Sequence, residues 1–433
     1  MFFHFHGATL EVGRSCIEII SKDGFRLLLD SGIEFGQHGG IYPSKINNMS
    51  EINAVFLSHS HLDHIGALPV FFHEKLKCPI YSTSITKEFT KLLLDDSYKI
   101  SKLKHEHVAY REVDLKYLLK LFKTVEYRKR YNINNISYKF YDGGHIPGSA
   151  MILLNIDDLN VLYTGDINNK ETYLLNSFDL IDEKIDILIS ETTYGYKEHP
   201  DRHYEETRLI KDIEFTLKNN GLPVVSAFAL GRSQEVFLML YKHFKSRIEF
   251  GEIEIYLDGM SKKMSNIISK NLDFVNDSTL YNNSLRKIKY IQSNKDREKV
   301  IAKKNAIIIT TSGMITGGPV MYYLEKIVND RNSSLFLTGY QAEQTNGRLI
   351  KEEGFVYIEG IKRKVNCNIF SYDFSGHIGQ TALKEFILKL NPKLTFLQHG
   401  DPESIESMKE ILTEHNLKVI APKLDQKFKI DLS

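Results

Sequence analysis

The sequence predicts a layered α/β protein in which one α/β unit interrupts another, and three observations carry that expectation. Six short apolar runs each lead to a residue that can hold a metal or move a proton: 25–29 to Asp30, 54–57 to His59, 136–141 to His145, 161–163 to Asp166, 185–190 to Glu191 and 394–397 to His399. Helical spacing of apolar residues separates them. From about 196 to 374 a second series of apolar runs appears, most followed by Gly- or Ser-rich turns and then a helix, as in a smaller parallel α/β domain.

Each element follows from its pattern. Catalytic groups in layered α/β proteins collect where strands end and loops begin, so the six runs are expected to converge on one edge of a β-sandwich. Helices are expected over 86–98, 204–218, 233–244, 319–328, 381–390 and 403–414. The interrupting unit should contain strands near 222–225, 253–257, 306–309 and 335–337. Its polar tract 271–297, rich in Asn, Lys and Ser, reads as an irregular loop. If His399 joins the site of His59, the block between them is an insertion. The expected domains are therefore 1–195, 196–374 as the insertion, and 375–433 completing the first domain.

Bulk composition narrows the class. Hydrophobic residues at 42% and charged residues at 26% of 433 leave no case for disorder. No apolar stretch is long enough to cross a bilayer, and Met1-Phe2-Phe3-His4 has no basic, cleavable leader. A cytoplasmic protein without membrane attachment is expected. Cys16, Cys78 and Cys367 are isolated and odd in number, which argues against a disulfide framework and against a thiolate metal site. Metal ligands must then be histidine and carboxylate. With a net charge of +1, attraction for nucleic acid would have to come from a local basic surface.

His59-Ser60-His61-Leu62-Asp63-His64 supplies such ligands, since imidazole nitrogen and carboxylate oxygen suit zinc and similar ions. With 16 histidines, chance would give this spacing in roughly one such chain in a thousand. Other neighbouring histidines, His4 and His6, His73, His105 and His107, His199 and His203, lack the placement at a strand end and read as surface or packing residues.

This hexapeptide, Gly144-His145-Ile146-Pro147-Gly148-Ser149-Ala150 and Tyr163-Thr164-Gly165-Asp166 together resemble the metallo-β-lactamase family. Ser190-Glu191-Thr192-Thr193-Tyr194-Gly195, Phe374-Ser375-Gly376-His377 and His399-Gly400-Asp401 match motifs A, B and C of its β-CASP nucleases. The stretches 227–235, 311–314 and 339–343, with the opening His6-Gly7-Ala8 and 11–16, are similar to the branch containing the nuclease subunit of the cleavage and polyadenylation specificity factor. Within it the resemblance points to the short archaeal-type forms without KH domains. Pro147, Ile378, Gly379 and 256–260 depart from the usual pattern, and none is a presumed ligand.

The resemblance implies an αββα sandwich with an inserted β-CASP α/β domain and two Zn2+ per chain. His59, His61 and His145 would hold one ion and Asp63, His64 and His399 the other, with Asp166 bridging and Asp30 steadying the histidine loop. It implies hydrolysis of RNA phosphodiester bonds in RNA processing or decay. Asp63, Glu191 and His377 are the expected catalytic residues, with His377 as proton donor and Glu191 orienting it. Single-stranded RNA is the expected substrate. Arg232, Ser312, Gly313 and Arg348 are candidates for contacting it, and the basic runs 128–130 and 362–364 are further ones, against solvated faces as the plainer explanation. Endonuclease action is the first expectation. A ribonuclease J-like 5′-to-3′ exonuclease and an inactive RNA-binding subunit are the alternatives, and homodimerisation and RNA-processing partners stay open.

Overall fold

The computed structural model describes residues 1–36 and 39–431; Gln37, His38, Leu432 and Ser433, the last two within the expected C-terminal part, lie outside the described residues. The chain divides into two compact units. One comprises Met1–Glu171, Ser177–Glu198 and the residues from His377 on; the other comprises Thr172–Asn176 and His199–Gly376.

Continuous apolar runs become strands buried on both faces, because alternation sends neighbouring side chains to opposite sides. Leu27 and Leu29 enter the core between two sheets, whereas Leu28 enters a second core under helices. On the facing sheet, Ile152 and Leu154 share the inter-sheet core while Met151 and Leu153 pack under another helical layer. The first unit is thus an αββα sandwich. Its first seven-stranded sheet runs Lys427–Lys429, Phe2–Phe5, Ile17–Ile20, Arg26–Leu29, Ala54–Phe56, Ile80–Ser82, Phe122–Thr124. The second runs Val419–Ile420, Leu394–Gln398, Ile187–Glu191, Leu159–Tyr163, Ala150–Ile156, Ile136–Asp142, Arg130–Ile133. Phe396 closes the inter-sheet core against Phe3 and Phe5, with ring centroids 5.4 and 5.0 Å away. Fully burying each such side chain contributes about 1.5–3 kcal/mol.

The second unit is built on a six-stranded sheet, ordered Lys289–Tyr290, Glu254–Leu257, Ala306–Thr310, Pro223–Ser226, Ser334–Leu337, Asn368–Ser371, with every pairing parallel. Thr172–Asn176 joins it through the Glu235 carboxylate, which accepts from the amides of Tyr173 and Leu174 at 3.1 and 2.9 Å. The expected helix 233–244 extends over Arg232–Glu249, and its backbone leaves helical angles at Phe244.

The tract 271–297 is not a loop. It forms a 3-10 turn Leu272–Phe274, a helix Ser278–Leu285, the strand Lys289–Tyr290 and the start of a helix Asn294–Ile301. Asp277 caps the first helix, and a Ser293–Asp296 capping box starts the second. One buried ring, Tyr281 against Phe237 at 5.6 Å, anchors the first helix. Among the described residues, no helix is long and apolar enough to cross a membrane.

Candidate metal centre

The histidine hexapeptide leaves the strand Ala54–Phe56 and closes into a four-residue helix, Leu62–Ile65, capped by His61 in extended conformation. Its backbone is pinned from outside: Ser15 N–H donates to Asp63 O (2.8 Å), Ser31 N–H to His64 O (2.7 Å) and Ile33 N–H to Leu62 O (3.0 Å). This is what the early Ser15 motif does. Gly165, at φ +52°, lies against Ser58, where a Cβ would collide, and this close approach seats Asp166 beside His59. His145 is set by Ser149, whose Oγ accepts from the His145 amide at 3.1 Å. His399 follows the strand Leu394–Gln398, and its N–H donates to Ala8 O at 2.7 Å.

All seven expected ligands come together. His61 Nδ1 lies 3.1 Å from His59 Nε2 and 3.1 Å from His145 Nε2. Asp166 turns one oxygen to each of two groups: Oδ2 is 3.5 Å from His59 Nε2 and 3.6 Å from His145 Nε2, while Oδ1 is 3.5 Å from His64 Nε2 and 3.4 Å from His399 Nδ1. Asp63 Oδ2 is 3.4 Å from His399 Nε2 and 3.8 Å from His64 Nε2. Ligands 2.0–2.1 Å from a tetrahedral ion are separated by about 3.3 Å, so these spacings fit divalent ions. Two buried atoms support that fit: His64 Nε2 and Asp166 Oδ1 have no hydrogen-bond partner. A cation at this point would satisfy both.

Asp30 fixes the orientation. Its Oδ1 accepts from Ser58 N–H at 2.7 Å; its Oδ2 faces Ser58 Oγ at 2.6 Å, Tyr163 OH at 2.7 Å and His64 Nδ1 at 2.7 Å. With its Nδ1 proton on Asp30, His64 presents the Nε2 lone pair to the site. Ser58 Oγ also meets His59 Nδ1 at 3.0 Å, and Thr193 Oγ1 meets His399 Nδ1 at 3.2 Å. The roles of Ser58, Tyr163 and Thr193 went unassigned from sequence, although the last two sit inside the recognised motifs. We expect Asp30→Asn to weaken divalent-ion binding by about 10–100-fold, measurable by calorimetric titration of the chelator-stripped protein.

Charge follows the same geometry. Burial, then the neighbouring His64, hold His59 well below the usual imidazole range, in the neutral form that ligates a cation. Burial alone would raise the Asp166 carboxyl, but His399, His64 and His59 outweigh it and keep it well below the usual carboxylate range. Burial likewise opposes a charge on His64, and Asp166, Asp63 and Asp30 overcome it, raising its pKa. A proton on His64 thus balances the carboxylates until a cation displaces it.

Glu191 and His377 meet at the edge of this centre. His377 Nδ1 is 3.0 and 3.2 Å from the two oxygens of the fully buried Glu191, and its ring centroid is 4.6 Å from that of His145. Ile167 N–H donates to Glu191 Oε1 at 2.7 Å and fixes the carboxylate. Burial works against a charged His377, yet Glu191, then Asp166, push its pKa up to about 9. His61, Asp63 and His377 are partly exposed and form the open side of the site.

Arg232, Ser312, Gly313 and Arg348 belong to the second unit. Arg232 begins a helix, and Arg348 pairs with Glu352 at 2.6 Å. Ser226 Oγ donates to the carbonyls of Ser312 and Gly313 at 2.9 and 3.1 Å, which holds that loop. Of the basic runs, Arg128 pairs with Asp179, Lys129 with Glu126 and Arg130 with Glu183. Lys362 pairs with Glu353 on the hairpin strand Ile361–Lys364.

Residues 19–193 match the metallo-β-lactamase superfamily domain, 233–350 the Beta-Casp domain and 362–422 the Zn-dependent metallo-hydrolase RNA specificity domain. The chain is similar to the probable RNase MJ4 of Methanocaldococcus jannaschii, 38% identical over 98% of this chain and 99% of that one. It is 30% identical to RNase aCSPSF2 of Saccharolobus solfataricus over 99% of this chain and 85% of the relative. It is 29% identical to the endoribonuclease ysh1 of Schizosaccharomyces pombe, over 95% of this chain and 56% of that longer protein. A crystal structure from Enterococcus faecalis V583, described as a protein of unknown function, shares the fold with a TM-score of 0.56 at 14% identity, covering 99% of each chain.

Proposed function

Because the chain belongs to the β-CASP branch of the metallo-β-lactamase superfamily, we propose that it is a zinc-dependent ribonuclease that cuts single-stranded RNA endonucleolytically in RNA processing or decay. The observation that carries this reading is Asp166, which offers one oxygen to His59 and His145 and the other to His64 and His399. Such a carboxylate suits two ions sharing one bridge. In this reading His59, His61 and His145 would hold one zinc, and Asp63, His64 and His399 would hold the second.

Bound there, the ions would lower the pKa of water and neutralise the charge that a phosphodiester develops under attack. The protein's own groups supply the rest. His377, kept protonated by Glu191, donates a proton to the departing 3′-oxygen, which leaves a 5′-phosphate on one product and a free 3′-hydroxyl on the other. Ile167 N–H and full burial restrain Glu191, which helps the imidazole keep its orientation. Asp63, partly exposed beside His399, combines ligation with contact to the open side where substrate enters. The three free cysteines are buried, in keeping with a reducing cytoplasm. Complete ligand placement favours the active enzyme over an inert RNA-binding subunit.

Internally labelled and end-labelled RNA, with 5′-triphosphate or 5′-monophosphate ends, tests the reading. Internal fragments are expected first, and a chelator should stop their formation until Zn2+ is restored. Mononucleotides released first would overturn the endonuclease assignment in favour of 5′-to-3′ exonuclease action. Cleavage that continues at full rate in chelator would remove the metal mechanism altogether.

A further inference from the structure

The N-terminal strand carries a second grouping of histidine and carboxylate. Phe3 and Phe5 point into the inter-sheet core, so alternation turns His4 to the opposite face, where Glu18 is its cross-strand partner. His4, His6 and Glu18 are all buried, which fits the packing reading of the two histidines rather than the surface one. Their ring centroids are 3.8 Å apart.

Each imidazole meets an oxygen on both sides. On one side Glu18 Oε2 lies 3.6 Å from His4 Nδ1 and 3.4 Å from His6 Nε2. On the other, Asp425 Oδ1 lies 2.6 Å from His4 Nε2, and Ser44 Oγ lies 2.9 Å from His6 Nδ1. Ser44 Oγ and Asp425 Oδ1 are 3.3 Å apart, which closes the ring of polar atoms. A neutral imidazole has one N–H and one lone pair. Two neutral rings carry two N–H groups for the four contacts above, and Ser44 Oγ can donate in one more, so a cation among these atoms would offset the remaining excess of acceptors. Arg26 does not fill the role, for its guanidinium is engaged by the other Glu18 oxygen at 2.7 Å and by Glu51 at 2.9 Å.

We propose that His4, His6 and Asp425 form a further binding site for a divalent transition-metal ion of the zinc type, with Glu18 orienting both imidazoles from behind. One nitrogen from each histidine and one Asp425 oxygen already lie within 4.8 Å of one another. Tetrahedral coordination needs about 3.3 Å between ligands, and the exposed Asp425 side chain can adjust to it. Two imidazoles and one carboxylate select zinc, cobalt, nickel or copper rather than magnesium or calcium. Glu18 completes the carboxylate–histidine–metal arrangement that fixes ring orientation and raises ligand basicity.

The site would act as a clamp. Asp425 precedes the strand Lys427–Lys429, which pairs with Phe2–Phe5, and His4 and Asp425 are 421 positions apart. The ion would fasten the strand Phe2–Phe5 to the segment around Asp425 and to that around Ser44. None of this depends on the nuclease reading.

Co2+ is the probe, added to the chelator-stripped full-length protein and followed by equilibrium dialysis and visible d–d absorption. The parent is expected to bind one more Co2+ per chain than His4→Gln. Asp425→Asn should hold that equivalent about tenfold or more weakly. Asp425 has a side chain 64% exposed, so its variant reports even if His4→Gln is poorly folded. RNA cleavage should be unchanged in Asp425→Asn, and Asp166→Ala should keep the extra equivalent, which separates this site from the catalytic one. Co2+ should raise the Tm of the parent more than that of His4→Gln. Equal stoichiometry and equal affinity in the parent and both variants would overturn the proposal.

Discussion

Replacing Asp166 by alanine is expected to reduce RNA cleavage by more than about a thousandfold and to lower divalent-ion binding at both halves of the centre. The magnitude exceeds the 10–100-fold typical of residues behind a metal ligand, because Asp166 faces both groups of ligands at once. Its two oxygens stand 3.4–3.6 Å from four imidazoles, so its loss would take a ligand from both groups and remove the negative charge between them. Loss of His145 would leave the His64–His399 group untouched and should spare part of the ion binding. Metal content after dialysis, measured beside activity, distinguishes these outcomes. Equal metal content and undiminished cleavage in Asp166→Ala would refute the bridging role. A control at Arg348→Ala, which removes an exposed pair with Glu352, should keep its metal content.

The site was legible because metal-type residues stand at the ends of runs that had to be strands. Leu27, Leu28 and Leu29 are all buried, two in one core and one in another, as a continuous apolar run before Asp30 requires when it forms a strand covered on both faces. The same logic places His59, Asp166, Glu191 and His399. What the pattern could not convey is which atom faces which. The Nε2 of His64 turns inward because Tyr163, Ser58 and Asp30 occupy its other side, a convergence of residues up to 133 positions apart. The tract 271–297 failed for the opposite reason. Its helices expose mostly Asn, Lys and Ser, and their identity rests on caps at Asp277 and Ser293 and on one buried ring, Tyr281. The His4 grouping was equally hidden, because its carboxylate partner Asp425 lies at the far end of the chain.

Glu191 and His377 allow the role of the proton donor to be separated from that of the metals. His377→Ala is expected to lower the cleavage rate by about 10²–10⁴-fold, the usual contribution of general acid catalysis, with metal content retained. Glu191→Gln should do less to the maximal rate and more to its pH dependence. The acid must be protonated to act, so activity falls as pH rises through the pKa of His377. Glu191 and Asp166 push that pKa up to about 9 against the opposing effect of burial. Bound cations oppose the push as well, so the fall in the loaded enzyme lies below that value, and the comparison between proteins is what counts. Neutralising Glu191 removes the largest favourable interaction with the imidazolium, and the alkaline fall must move to lower pH. Burying an uncharged amide beside Ile167 N–H keeps the side-chain volume, so the shift can be read without a change of fold. An RNA substrate with a better leaving group, such as a 3′-bridging sulfur, needs no proton from the enzyme; it should recover most of its rate in His377→Ala. If cleavage of that substrate falls as steeply as cleavage of normal RNA, His377 is not the proton donor and serves instead to hold substrate or metal.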